Sequence, residues 1–297
     1  MVEQKNKLDV KNRVFPQVAK NVKEGNKAES ALDFQIEELE RNGYTILEDI
    51  LSVEETRYIG SKIDEIYQTQ VKDIEDIGGE DRLYEIGDSD CAKHLMVYDE
   101  IFVSLLANEK ILPIVRYFLK EYFVLHLQNG VLNKPNIENP ASMWHRDLPC
   151  QHYTSSRPLS ISVLICIDDF TKETGGTYLL PGSHRCESFP SPEFVKKFEH
   201  QISIKKGSVI VFDSMVFHRA GFNKSKKVRR AISHMFTLPF IRQQISLPRV
   251  LKGKYSDDPF LRKLLGYDCD TADSLRDWRS VRIEARAEKG HSAAKKL

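Results

Sequence analysis

Apolar residues in the first third of the chain recur with the spacing of helices. One group is followed by the stop signal Asn42-Gly43 and predicts a first helix: Leu32, Ile36 and Leu39. Ser52 with Glu55 forms a capping-box pattern that predicts the start of a second helix. The apolar face of that helix would consist of Ile59, Ile63 and Ile66. The segment ILPIVRYFLKEY, entered at Pro113, predicts a third helix.

Further along the chain, short runs rich in Val, Ile, Phe and Tyr replace the helical pattern. They are YFVLHLQNGVL, LSISVLICI, GTYLLPGS, GSVIVFD and RRAISHMFTL, and YTILEDI precedes them between the first two helices. Turn residues separate the runs, as expected for strands. Many short strands with irregular loops predict a mainly β sandwich or barrel with flanking helices.

The composition divides the chain into three parts. Residues 1–30 are polar, rich in Lys and Asn, and without an apolar period, so we expect a flexible arm. Residues 31–240 contain the predicted helices and strands and form one domain. Residues 241–297 are irregular and charged, and they predict an extension that packs on the core or trails from it.

Charge and hydropathy narrow the classes of partner. Lys and Arg number 44 against 43 Asp and Glu, so the net charge of +1 gives no electrostatic reason to bind nucleic acid or an anionic membrane. No run approaches the ~20 apolar residues of a membrane span, and no signal-peptide core is present. Five cysteines without a C-x-x-C pair indicate a reducing compartment. We expect a cytoplasmic protein with a small-molecule substrate. No sequence feature indicates its oligomeric state.

The segment MWHRDLP contains the first candidate chemistry. On an extended strand His145 and Asp147 would point to the same side, where they offer a nitrogen and a carboxylate oxygen to a metal. With one more histidine they would form the 2-His-1-carboxylate triad of non-haem Fe(II) enzymes. The alternative interpretation is a surface histidine beside a solvated aspartate.

A second segment, FHRAGFNKSKKVRRAIS, favours the metal interpretation. His218 follows an apolar run and offers the third ligand, and the next strand begins with Arg229 and Arg230. A dicarboxylate cosubstrate bound to iron at one end needs a fixed cation at the other, and arginine suits this because its planar fork binds bidentately. Strand alternation allows only one of the two arginines to point inward.

With these residues, and with FQIEELERNGYTILEDILSVEE and GGTYLLPGSHR, the sequence resembles the phytanoyl-CoA dioxygenase family of Fe(II)/2-oxoglutarate oxygenases, from about Leu32 to Leu238. The resemblance implies a double-stranded β-helix, a cupin-like jelly roll. It also implies that His145, Asp147 and His218 bind Fe(II), and that O2 and 2-oxoglutarate are cosubstrates. The family places its 2-oxoglutarate arginine eleven residues after the distal histidine, a spacing that selects Arg229.

The resemblance suggests further pocket residues. Family members often carry a glutamine about seventeen residues before the H-x-D motif, which here is Gln128. Some relatives have a hydroxyl residue two positions after the distal histidine, where this chain has Ala220. Ser233 and Thr177 are therefore the candidates for the hydroxyl that assists Arg229.

The function implied is hydroxylation of an unactivated C–H bond in a polar, carbohydrate-like or carrier-linked metabolite, with release of succinate and CO2. Asp147 favours hydroxylation, or desaturation or ring chemistry by the same oxidant, over halogenation, because halogenating relatives have a small residue there. The alternatives are an acyl-CoA hydroxylase of the same mechanism, a cupin-class enzyme that does not use 2-oxoglutarate, and a non-catalytic jelly-roll module that binds a metabolite. The chain contains no G-x-S-x-G, Walker or G-x-G-x-x-G motif to support hydrolase, phosphoryl-transfer or nicotinamide chemistry.

Overall fold

A computed structural model describes residues 28–148 and 153–294. The strands are β1 Tyr44–Leu47, β2 Cys91–Ala92, β3 Val124–Asn133, β4 Ser160–Cys166, β5 Tyr178–Leu179, β6 His200–Gln201, β7 Val209–Asp213, β8 His218–Arg219 and β9 Arg229–Thr237. The helices are α1 Ala31–Asn42, α2 Val53–Asp73, α3 Gly79–Glu85, α4 Ile101–Ser104, α5 Leu112–Leu119, α6 Pro192–Phe198, α7 Leu247–Leu251, α8 Pro259–Leu264 and α9 Leu275–Ala294.

The strands form two antiparallel sheets. The larger has the order β1-β7-β4-β9-β3-β2, and the smaller has the order β6-β5-β8. One apolar cluster contains side chains from both sheets and joins their inner faces: Cys166, Phe170, Leu179, Ile202, Ile210, Phe212, Val216 and Ala231. This arrangement confirms the predicted mainly β jelly roll with flanking helices.

Helices cover the outer face of the larger sheet. Alternate residues of β4, β7 and β9 join the apolar faces of α1, α2 and α5 in the main core. The Ser52 capping box is present, and Gly43 ends α1 in a left-handed conformation with φ 85°. Arg230 also ties β9 to α2 by an ion pair with Asp64. The three helices predicted from periodicity are confirmed, although the third ends at Leu119 because Lys120 leaves the helical conformation.

The structure describes most of the C-terminal extension but little of the N-terminal arm. Most of the predicted flexible arm, residues 1–27, lies outside the described residues. In the C-terminal extension α7 and α8 contribute to the main core through Leu247, Leu251 and Leu264, whereas Trp278 of α9 is exposed. No helix in the described ranges is long and apolar enough to cross a membrane.

Candidate metal and cosubstrate site

Three side chains from two distant segments meet between the sheets. The potential ligand atoms of His145, Asp147 and His218 all lie within 4.8 Å of one another. The Nδ1–H of His145 donates to the carbonyl of Met143 at 2.8 Å, and that of His218 donates to the carbonyl of Val216 at 3.0 Å. In the neutral form of both rings Nε2 therefore carries the lone pair, which is the form that binds a metal.

Backbone hydrogen bonds hold the two ligand segments together. The amide of His145 donates to the carbonyl of His218 at 3.0 Å, and the reverse bond has the same length. The amide of Asp147 donates to the carbonyl of Ser214 at 3.0 Å. The segment MWHRDLP was expected to be an extended strand, but it forms only an isolated β-bridge, between His145 and His218. That bridge suffices to bring the distant ligand beside the H-x-D pair.

The electrostatics of the cluster favour an ionised carboxylate. Burial alone would raise the pKa of Asp147, but His218, His145 and a hydrogen bond from Ser162 lower it to about 2. The Ser162 hydroxyl donates to Asp147 Oδ2 at 2.5 Å, which leaves Oδ1 directed toward His218 Nε2 at 3.3 Å. Burial opposes protonation of His218, yet Asp147 raises the pKa of that ring overall. Two imidazole nitrogens and one ionised carboxylate fit the Fe(II) triad.

Arg229 and Arg230 point to opposite faces of β9. Arg230 forms ion pairs with Asp64 at 2.7 Å and Asp168 at 3.0 Å on the helix side. Arg229 is only 3% exposed, and its guanidinium lies 4.0 Å from the centroid of the Phe170 ring. No acidic side chain in the described ranges pairs with Arg229, and its Nε has no hydrogen-bond partner there. Burial lowers the pKa of Arg229 to about 10, and the group remains a cation at neutral pH.

Comparison with known proteins agrees with this geometry. The profile of the family "Phytanoyl-CoA dioxygenase (PhyH)" matches residues 39–231. The chain belongs to the phytanoyl-CoA dioxygenase family. Together with the His-Asp-His cluster, this membership makes the protein a 2-oxoglutarate-dependent non-haem iron dioxygenase, with Fe(II), 2-oxoglutarate and O2 as its cofactor and cosubstrates.

Individual relatives of this phytanoyl-CoA dioxygenase family member were found in both sequence and structure. An uncharacterized protein of Mycobacterium tuberculosis is 34% identical over 214 residues, which are 70% of this chain and 76% of that protein. The iron/alpha-ketoglutarate-dependent dioxygenase ausO of Aspergillus calidoustus is 28% identical over 155 residues, 48% of this chain and 51% of that protein. The crystal structure of EctD from S. alaskensis with 2-oxoglutarate and 5-hydroxyectoine superposes with a TM-score of 0.57 at 19% identity, covering 72% of this chain and 78% of that one.

The two predicted hydroxyl residues lie on inner faces of the jelly roll. Ser233 shares the inner face of β9 with Arg229 and is paired with Leu164 of β4. Thr177 is buried, and by alternation it shares a face with Leu179, which packs between the sheets. Its hydroxyl makes no hydrogen bond to another described residue. Ser233 therefore shares the face of β9 with Arg229, and the role of the two hydroxyls stays a prediction.

Gln128, which the resemblance suggests as a pocket residue, lies on the other face of the sheet. It is paired with His234 on the helix side of β3, and its amide donates to the carbonyl of Phe102 at 2.7 Å. The reason is a β-bulge between Leu125 and Leu127, which shifts the alternation of the strand by one residue. The structure therefore brings Gln128 to the helix layer instead of the metal site.

Sequence reasoning missed Asn133 and Arg146. Asn133 is buried opposite Arg229 on β3; its amide donates to the carbonyl of Gly221 at 2.8 Å, and its Oδ1 has no partner among the described residues. Arg146 is 2% exposed behind the metal site. With the position of the bulge known, strand alternation would have placed Asn133 on the face of the sheet that Arg229 occupies. Nothing in the sequence signals the burial of Arg146.

Proposed function

We propose that this dioxygenase hydroxylates an unactivated C–H bond of a small polar metabolite, carbohydrate-like or carrier-linked, and releases succinate and CO2. The observation that carries the proposal is the buried guanidinium of Arg229, which has no acidic partner in the described ranges and lies on the inner face of β9. A buried cation without a counter-charge is costly, so such a residue is retained where an anionic ligand completes it. A metal-dependent cupin that does not use 2-oxoglutarate would have no need of this cation.

Each residue has a defined part in the proposed mechanism. His145, Asp147 and His218 would hold Fe(II), and the fixed Nδ1–H bonds to Met143 and Val216 keep the imidazoles oriented. Bound Fe(II) and 2-oxoglutarate supply, with O2, the oxidation of the C–H bond. Arg229 would bind the far carboxylate of 2-oxoglutarate bidentately, with Ser233 and Thr177 as hydroxyl partners.

The substrate class rests on charge and on the relatives. The net charge of +1 offers no field for a polyanionic macromolecule. The EctD structure is described as holding 5-hydroxyectoine, a small molecule, beside 2-oxoglutarate. An acyl-CoA is the alternative that the family description itself suggests. Asp147 occupies the position where a carboxylate favours hydroxylation over halogenation.

The first test is anaerobic. Fe(II) followed by 2-oxoglutarate is added to the metal-free protein, and the visible charge-transfer band of the chelate is measured. We expect a band that requires both additions, that is absent from Asp147→Ala and that is weaker in Arg229→Ala. A succinate-release screen of polar metabolites and acyl-CoAs then separates the two substrate classes. A folded, metal-binding protein without the band would contradict the cosubstrate assignment and favour a binding module.

A further inference from the structure

Arg146, the residue between the two predicted ligands of the H-x-D motif, makes an unusually complete set of hydrogen bonds. Its Nε donates to the carbonyl of Met215 at 2.7 Å. The two Nη atoms donate to the carbonyls of Ser183 at 2.9 Å, Glu187 at 3.2 Å and Cys186. The guanidinium also lies 3.9 Å from the centroid of the Phe217 ring. One side chain therefore binds four backbone carbonyls and one aromatic face.

These contacts connect the segments on which the metal site depends. Met215 and Phe217 belong to the turn that leads directly into His218. Ser183 belongs to a third segment, which is itself bound to that turn because its hydroxyl accepts the amide of Phe217 at 2.8 Å. Among the described residues, the backbone bonds nearest the ligands join residues 145 and 147 of one segment to residues 218 and 214 of the other. Arg146 adds a second set of links on the side opposite the ligands, since adjacent residues of an extended segment point in opposite directions.

We propose that Arg146 is a positioning residue of the iron site, which fixes the separation between the His145/Asp147 pair and His218. The inference rests on the proposed metal ligands. Ligand atoms must be held within a few tenths of an ångström for tight metal binding, and outer-shell partners that fix ligand orientation typically contribute about 10-fold to 100-fold in metal affinity. A buried guanidinium that bridges both ligand segments meets this description.

Arginine is the side chain that can perform this task. Its planar fork presents five N–H donors in fixed directions, which allows one group to bind several carbonyls at once and to stack on a ring. The ammonium of lysine keeps the charge but offers three donors from a single point. Arg146→Lys therefore retains the buried cation but cannot make the four carbonyl hydrogen bonds at once. The variant separates the effect of positioning from the effect of charge.

The experiment measures Fe(II) affinity directly, by competition between the metal-free protein and a colorimetric chelator well below the unfolding temperature. We expect Arg146→Lys to weaken Fe(II) binding about tenfold or more. Once iron is saturating, the 2-oxoglutarate affinity read from the charge-transfer band should stay within about threefold, because Arg146 does not contact the site proposed for that carboxylate. The matched control is Arg219→Lys, next to His218, where the guanidinium faces away from the metal, 3.8 Å from the Tyr178 ring centroid; its iron affinity should match the wild type.

The other outcomes are also decisive. Wild-type iron affinity in Arg146→Lys, with or without a lower melting temperature, would assign Arg146 to fold stability alone and overturn the proposal. An equal loss in Arg219→Lys would do the same. If Arg146→Lys does not fold, Arg146→Gln, which keeps two amide donors and loses the charge, is measured instead, and unchanged iron binding there would reject the proposal. Failure of the wild type itself to bind Fe(II) would instead refute the proposed triad.

Discussion

Arg229 and Arg230 are neighbours on β9, yet the first is a buried cation with no acidic partner in the described ranges and the second is paired with Asp64 and Asp168. The difference follows from strand alternation, which turns Arg230 toward α2 and Arg229 toward the smaller sheet. Arg230 therefore helps to hold α2 against the larger sheet. Arg229 has no such role in the fold, so its charge is available to a ligand.

Replacing Arg229 should separate cosubstrate binding from iron binding. We expect Arg229→Met to weaken 2-oxoglutarate binding about 10-fold to 100-fold, because charged hydrogen bonds contribute ~1.5–3 kcal/mol each. Iron affinity should be unchanged, since Arg229 is not a ligand. The metal-free variant should be at least as stable as the wild type, because the substitution removes a buried charge without a partner. Titration of the charge-transfer band and thermal unfolding measure these quantities.

Arg230→Met is the matched control for that variant. It should lower thermal stability through the loss of its two carboxylate partners, while 2-oxoglutarate affinity stays at the wild-type value. A variant of Arg229 that binds 2-oxoglutarate normally, or an Arg230 variant that loses it, would reverse our assignment of the two arginines.

Removal of either ligand from the H-x-D motif should abolish turnover. His145→Ala and Asp147→Ala each take away one of three protein ligands, so succinate release and the charge-transfer band should both disappear. His200→Ala, at an exposed histidine of β6, is the control for losing an imidazole and should retain both signals. Full turnover by both ligand variants would end the triad assignment.

Much of the site follows from local rules that act on the sequence. The H-x-D spacing places two ligands on one side of an extended segment, and the alternation of Arg229 and Arg230 allows only one inward cation. The helices α1 and α2 follow from apolar periodicity and their capping residues, which are properties of a few neighbouring residues. These features need no knowledge of distant contacts.

The features that the sequence did not predict depend on distant contacts. Gln128 was placed in the pocket by counting residues, but the bulge between Leu125 and Leu127 turns it toward Phe102. The burial of Arg146 was not predicted, because its acceptors belong to segments about forty and seventy residues away. Register shifts and backbone acceptors from other segments leave no local pattern in the chain.

The hydroxyl of Ser162 should fix the orientation of the Asp147 carboxylate and thereby increase the affinity for Fe(II). It donates to Asp147 Oδ2 and is itself hydrogen-bonded to Ser214 at 2.8 Å. Ser162→Ala should weaken Fe(II) binding about tenfold, because the carboxylate loses the bond that fixes its orientation. Ser160→Ala, which removes only a hydroxyl that accepts from Ser214, is the comparison and should cost less iron affinity. Equal losses in the two variants, or none in Ser162→Ala, would contradict this role.

The pair formed by His218 and Asp147 predicts a pH dependence of the metal-free protein. Asp147 Oδ1, 3.3 Å from His218 Nε2, raises the pKa of His218 above its usual 6.5 despite burial. A raised folded-state pKa gives stability that is fully present below the unfolded pKa and is lost as the pH rises through the folded one. The depressed pKa of Asp147, about 2, acts only at the acid end. The melting temperature of the metal-free protein should therefore fall as the pH rises above about 6.5.

The affinity for Fe(II) should instead increase as the pH rises above about 6.5, because Fe(II) binds the neutral imidazole and must displace the proton of His218. Asp147→Asn removes the carboxylate that raises this pKa, so the slope of melting temperature against pH should flatten in that variant. Most other buried histidines, among them His145 and His234, have pKa values lowered below 6.5. They lose their protons at lower pH and do not contribute to the slope of melting temperature above pH 6.5. An identical slope in Asp147→Asn would show that another group titrates, and the ion pair would then contribute nothing to stability near neutral pH.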